Sequence, residues 1–166
     1  MTTLATSPMA YTIFQNVQGT KKVQKNGTWG DLIRLMNHPP AYLSKQNCPL
    51  IKLATFGDER SPKGSFRTDK NMLTITGIEG DYDGEKVPPE EAVTRLKAVN
   101  VEAIVYTTPS HTPGKPRWRV LVPLSKPFPP DERERFVALL NGALGGILNV
   151  ESFTQSQSFY YGRVSR

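Results

Sequence analysis

The chain has 166 residues, with 21 Lys and Arg against 15 Asp and Glu for a net charge of +6, and is 37% hydrophobic and 9% aromatic. These are the proportions of an ordinary folded domain with one core, and they exclude a disordered or fibrous chain. A single cysteine, Cys48, allows no internal disulfide; no basic segment leading into an apolar run opens the sequence, and no apolar run approaches the roughly 18 residues of a membrane span, so the expected setting is cytoplasmic, away from the membrane.

The positive charge attracts polyanions at long range and makes nucleic acid a candidate partner, but it needs a site to give it meaning. In chain order, residues 1–10 are small and polar with Pro8, and read as a flexible tail. Tyr11 to Phe14 and the basic Lys21 to Lys25 read as strands. Trp29 to Asn37 reads as a helix with Leu32, Ile33, Leu35 and Met36 on its apolar side, stopped by Pro39-Pro40. Leu50 to Thr55 is a strand, and Gly57 to Asn71 an exposed, mobile loop whose Arg60, Lys63, Arg67 and Lys70 read first as solvated surface and only second as phosphate contacts.

The second half is more regular. Leu73 to Tyr82 reads as a strand, Pro88 to Val99 as a helix, and Val101 to Thr107 as a strand. After the turn residues Thr112 to Pro116 come a strand over Arg117 to Pro123, a helix over Pro130 to Asn141 and a last strand over Gln157 to Val164. The expected class is α+β: residues 11–166 form one domain, with an N-terminal α/β part at 11–72 and a β-α-β-β-α-β, RRM- or ferredoxin-like two-layer core at 73–166. The antiparallel sheet of that core should run in the order 4-1-3-2. Such a topology brings Asp81, Asp83, His111, Arg117, Arg119 and the segment Asn149 to Gln157 to one sheet edge.

Asp81 and Asp83 are two apart at a strand end, so both carboxylates point the same way, with Glu79 on the same face. Acids so placed repel one another unless a cation neutralises them, and hard oxygen ligands suit Mg²⁺ or Mn²⁺. Beside them stand Ser110, His111, Lys115, Arg117 and Arg119, donors suited to phosphate oxygens, although the two arginines could equally pair with the two aspartates.

Four segments carry a resemblance: Gly77 to Gly84 (GIEGDYDG), Tyr106 to Thr112 (YTTPSHT), Pro116 to Leu124 (PRWRVLVPL) and Ser156 to Gly162 (SQSFYYG). Together they resemble the archaeo-eukaryotic primase superfamily, in its primase and primase-polymerase domains of plasmid and prophage replication proteins. The resemblance covers the latter two thirds of the chain. It implies template-directed nucleotidyl transfer on single-stranded DNA with NTPs or dNTPs, by a monomer working with a replicative helicase in the same chain or a separate one. By the same resemblance Asp81, Asp83 and His111 are catalytic, Asp81 and Asp83 hold Mg²⁺ or Mn²⁺, and Ser110, His111, Lys115, Arg117 and Arg119 bind the nucleotide. The pattern departs at Pro109, where the family has a small hydroxyl residue, and at Asn149, where a third acidic ligand is expected; Glu151 or Glu79 would then replace it. Lys21, Lys22, Lys25 and Trp29 are candidate template contacts. The competing readings are a metal-dependent nuclease or nickase, a non-catalytic RRM-like nucleic-acid-binding module, and a purely structural role.

Overall fold

The computed structural model describes residues 4–165. Its strands are β1 (Pro8–Phe14), β2 (Lys22–Thr28), β3 (Ala41–Tyr42), β4 (Leu50–Lys52), β5 (Ala54–Phe56), β6 (Met72–Tyr82), β7 (Ile104–Thr107), β8 (Trp118–Phe128), β9 (Phe159–Tyr160) and β10 (Arg163–Val164). Its helices are α1 (Trp29–Asn37), α2 (Pro89–Ala98) and α3 (Arg133–Ala143). The local signals explain the helix starts. Thr28 and Asp31 close a reciprocal capping box on α1, with the Thr28 N–H donating to Asp31 at 2.8 Å and the Asp31 N–H donating to the Thr28 hydroxyl at 3.1 Å. Pro89 begins α2, with Glu90 and Glu91 in its first turn and Arg95 and Lys97 in its last, as the helix dipole favours.

The strands form two four-stranded antiparallel sheets, β2-β1-β4-β9 and β5-β6-β8-β7, and a small parallel pair, β10-β3. In the second sheet β6 and β8 are the long central strands, in register from Gly77 opposite Pro123 to Tyr82 opposite Trp118. Side-chain alternation along β6 then decides everything around it. Ile78 and Tyr82 join Val120 and Trp118 in a core closed by Ala92 and Leu96 of α2 and by Val137 and Leu140 of α3. The intervening Gly77, Glu79 and Asp81 face the N-terminal half. A Cβ at Gly77 would lie 2.5 Å from Leu53, so only glycine lets the two halves approach this closely. On that side Leu53 and Leu121 pack with Met9, Tyr11, Ile13, Trp29 and Leu32.

Four expectations are corrected. The tail expected over residues 1–10 is in part structured: β1 begins at Pro8, and Leu4–Thr6 forms a short 3-10 helix. The last strand does not flank β6. It divides into β9, paired with β4, and β10, paired with β3, so the observed order is β5-β6-β8-β7. The edge of β6 beyond β5 is satisfied instead by irregular chain: the Asp81 N–H donates to Ser152 Oγ at 2.9 Å, and the Asn149 N–H donates to the Asp81 carbonyl at 2.9 Å. The loop before β6 is anchored. Asn71 is buried, accepts from the Glu59 N–H, and donates to the Gly57 and Phe66 carbonyls. Trp29, 1% exposed, is core and cannot stack on a template base.

Glu79 is fully buried and holds the layers together. Its carboxylate accepts from Lys52 Nζ at 2.8 Å, from the Leu53 N–H at 2.6 Å and from Arg133 Nη2 at 2.9 Å. Lys52 comes from β4 and also donates to the Gln157 carbonyl at 2.9 Å, while Arg133 opens α3. Burial alone would push the Glu79 carboxyl up, but the two cations and the hydrogen bonds outweigh it and hold it below its usual value of 4.5. Both of its oxygens are engaged, two cations already neutralise it and it is 0% exposed, so the sequence-based reading of Glu79 as a metal ligand is corrected. Glu79→Leu strands two buried cations and is expected to lower unfolding stability by about 3–5 kcal/mol near neutral pH in urea titrations. The depressed carboxyl contributes stability above 4.5 that is lost as pH falls through the lower folded value, so the gap to wild type should narrow in acid.

Candidate functional site

Asp81 is the next residue of β6 to face the N-terminal half after Glu79, and it stands opposite Arg119 of β8. Arg119 Nε donates to Asp81 Oδ1 at 2.8 Å, and Arg119 Nη1 donates to the Tyr160 carbonyl at 2.9 Å. Asn149 Nδ2 donates to Asp81 Oδ2 at 3.3 Å, and the Asp83 N–H donates to Asn149 Oδ1 at 3.3 Å. Asn149 thus bridges the two aspartates as a neutral donor and acceptor. Asp81 is 8% exposed, Asp83 is exposed, and both open into one cleft of about 280 Å³ with Glu151 and Arg119. Burial pushes the Asp81 carboxyl above its usual 3.8, and Asp83 and Glu151 push it further, while Arg119 pulls it down. Of the three acids only Asp81 has an ion-pair partner, Arg119; Asp83 and Glu151 have none among the described residues.

The chain after β6 is held by Tyr82. Its ring stacks on Trp118 at 4.7 Å, and its hydroxyl accepts from the Lys86 and Val87 N–H groups at 3.0 and 2.9 Å. This fixes the turn that carries Asp83 and places Glu85 in the left-handed region, at φ 57°. Glu85 is one residue that sequence reasoning missed. It forms ion pairs with Arg117 and, at 3.6 Å, with Lys115, and those contacts hold its carboxyl below the usual range, the Arg117 hydrogen bond foremost. The alternative reading, in which the arginines pair with the aspartates, therefore holds for Arg119 alone.

The predicted convergence is divided between two clefts. Asp81, Asp83, Arg119, Asn149, Glu151 and Gln157 line the first. His111 lines a second, of about 490 Å³, with Tyr106, Thr108, Met36 and Arg163, and neither cleft is lined by Ser110, Lys115 or Arg117. His111 Nδ1 accepts from the Arg117 N–H at 3.2 Å, which commits that nitrogen to closing the turn. The Tyr160 carbonyl accepts from both Arg119 and the Tyr106 hydroxyl, at 2.9 and 3.3 Å, and so ties the two clefts together. The first cleft also contains two cations that no motif announced, Lys45 and Arg67, both from the N-terminal half.

Among the described residues no group of three His, Cys, Asp or Glu is close enough to cage a metal ion. The hard oxygens of Asp81, Asp83 and Glu151 nonetheless suit Mg²⁺, which is commonly held by one or two carboxylates together with substrate phosphates and water rather than by an all-protein cage. No helix among the described residues is long and apolar enough to cross a membrane. Replacing Asn149 by Asp would remove a donor to Asp81 and set a third carboxylate beside it. Asn149→Asp should cost about 1–3 kcal/mol in unfolding free energy in the absence of divalent ions and raise the Asp81 carboxyl further, which a carbon-13 carboxyl titration reads directly.

Neither a protein-family model nor a curated protein matches the chain. Among solved structures it is similar to the AEP domain of the primase-polymerase of cyanophage S-2L, at 12% sequence identity and a TM-score of 0.48, covering 95% of this chain and 74% of that one.

Proposed function

We propose that the chain is a nucleotidyltransferase acting on single-stranded DNA, the catalytic core of a primase or primase-polymerase. The observation that carries this reading is the pair Asp81 and Asp83, joined by Glu151, opening into one cleft beside Arg119. The ordered motifs around Asp81, His111, Arg119 and Tyr160 supply the reaction class, and the cleft supplies a place for it.

In this reading Asp81 and Asp83 would hold Mg²⁺ or Mn²⁺ together with substrate phosphates and water, with Glu151 lining the same cleft. When bound, such ions promote attack of a 3′-hydroxyl on the α-phosphate and neutralise the pyrophosphate that leaves. The chain's own contribution is positioning. Arg119 fixes one oxygen of Asp81 and Asn149 the other, so the carboxylate turns a defined edge to the cleft. Asn149 also holds the Asp83 backbone, which keeps the two carboxylates at a set spacing despite their repulsion. NTPs or dNTPs are the nucleotide substrates, and a replicative helicase is the expected partner in the copying of a plasmid, phage or other mobile element.

The binding-module alternative fits less well. RNA-recognition sheets present aromatics on an open face for base stacking; here the aromatics of the corresponding strands, Tyr82 and Trp118, are 3% and 0% exposed beneath α2 and α3.

The clean test is Asp83→Ala, because Asp83 is exposed, whereas Asp81→Ala would leave Arg119, 8% exposed, without its carboxylate. With single-stranded DNA, Mn²⁺ or Mg²⁺ and labelled NTPs or dNTPs, Asp83→Ala should lose product formation by about 100-fold or more with unchanged melting temperature. Normal extension by that variant would sink the metal assignment.

A further inference from the structure

The Asp81 cleft has walls of opposite sign. Asp81, Asp83 and Glu151 come from the C-terminal half, and Lys45 and Arg67 face them from the N-terminal half. Of the three cations that line the cleft, Arg119 is paired with Asp81. Lys45 and Arg67 have no carboxylate partner among the described residues.

Both are held in place. The Phe66 N–H donates to the Gly19 carbonyl at 2.8 Å, and Arg67 Nη2 donates to the Val17 carbonyl at 2.7 Å. Gly19 has φ +68°, and a Cβ there would lie 2.7 Å from the Arg67 Cβ, so the turn that seats Arg67 requires glycine. Arg67 Nε is buried with no hydrogen-bond partner. Lys45 opens a short 3-10 helix and stands 5.6 Å over the Tyr160 ring. Lys45 and the half-buried Arg67 on one wall, and Asp83 and Glu151 on the other, form no ion pair among the described residues, so both walls present unpaired charge to a ligand.

We propose that Lys45 and Arg67 bind the phosphates of a metal-chelated nucleoside triphosphate whose cation rests on Asp81 and Asp83. The inference builds on the nucleotidyltransferase reading and assigns the phosphates to residues outside the motifs. A bare triphosphate in this cleft meets three carboxylates, and a bare divalent ion meets two cations. The chelate satisfies both walls at once, its metal toward the acids and its phosphate oxygens toward Lys45 and Arg67. Arg119 is ion-paired with Asp81, and Lys115 and Arg117, which do not line the cleft, are ion-paired with Glu85, so none of the three brings an unpaired charge to it.

The test is equilibrium binding of Mg²⁺–ATP, Mg²⁺–dATP and Mg²⁺–triphosphate to the full chain by calorimetry, together with KM and kcat in primer extension. Lys45→Ala and Arg67→Ala should each weaken binding of all three about tenfold and raise KM with kcat at saturation little changed, while Lys63→Ala, an exposed lysine of the same loop, binds as wild type. Chelating the metal should abolish binding. Lys45 is exposed and its side chain makes no hydrogen bond among the described residues, so its variant tests the assignment even if Arg67→Ala disturbs the loop. If wild type binds the chelates and Lys45→Ala and Arg67→Ala bind equally well, or if Lys63→Ala weakens binding as much as they do, this assignment is overturned and the nucleotidyltransferase reading stands. Failure of wild type to bind any metal–triphosphate overturns both.

Discussion

Alternation along β6 sends Glu79 and Asp81 into the seam between the two halves of the molecule, and carboxylates buried there have to be met by cations. The solution at Glu79 is complete. Lys52 from the N-terminal sheet and Arg133 from the start of α3 both reach it, and the Leu53 N–H takes another position on its carboxylate. Those contacts join three parts of the chain that are distant in sequence. Arg133 also donates to the carbonyls of Ser152 and Thr154, at 2.8 and 3.1 Å, so the same cluster fixes the segment that supplies Asn149 and Glu151 to the cleft.

One step further along the strand the solution is partial. Asp81 has one arginine and one amide, and lies nearer solvent than Glu79. Asp83 lies beyond the strand end with its backbone held and its side chain exposed. Charge compensation therefore runs down along a single strand, from a closed ionic cluster at Glu79 to an open acidic mouth at Asp83. A gradient of this kind gives a strong scaffold and an unsatisfied site from the same three alternate residues, and the unsatisfied end is where ligand chemistry belongs.

Local signals were legible in the sequence, and long-range partners were not. Trp29 to Asn37 forms the helix its apolar spacing, its start and its double proline predict, and Leu73 to Tyr82 forms the long strand, because those determinants lie within a few residues of one another. The α+β class follows from the order of such elements. The edge position beside β6 does not, since Ala54–Phe56 and Gln157–Val164 are both short apolar segments, and only the packing of the N-terminal half decides between them. At the site, Asp81, Asp83 and Arg119 share a face by strand periodicity. Glu79 shares it too, but its fate depended on Lys52, 27 residues away, and on Arg133, 54 away. The capture of Arg117 by Glu85 depends on a left-handed residue in a turn, which composition does not announce in a glutamate.

The N-terminal half has a role that its sequence hides. Its helix and strands supply core for the face of the β5-β6-β8-β7 sheet opposite α2 and α3, and its loops reach past that core to the cleft. Because Arg67 is fixed through the turn at Gly19 and Lys45 through the segment leading into β4, their distance from the acids is set by how the two halves pack, and that packing is set by Glu79 and by the close approach at Gly77. Backbone and ionic contacts in the seam thus determine the width of the cleft. A wider seam would separate cation wall from acid wall, and the complementarity to a ligand carrying both charges would weaken although every residue of the cleft remained in place.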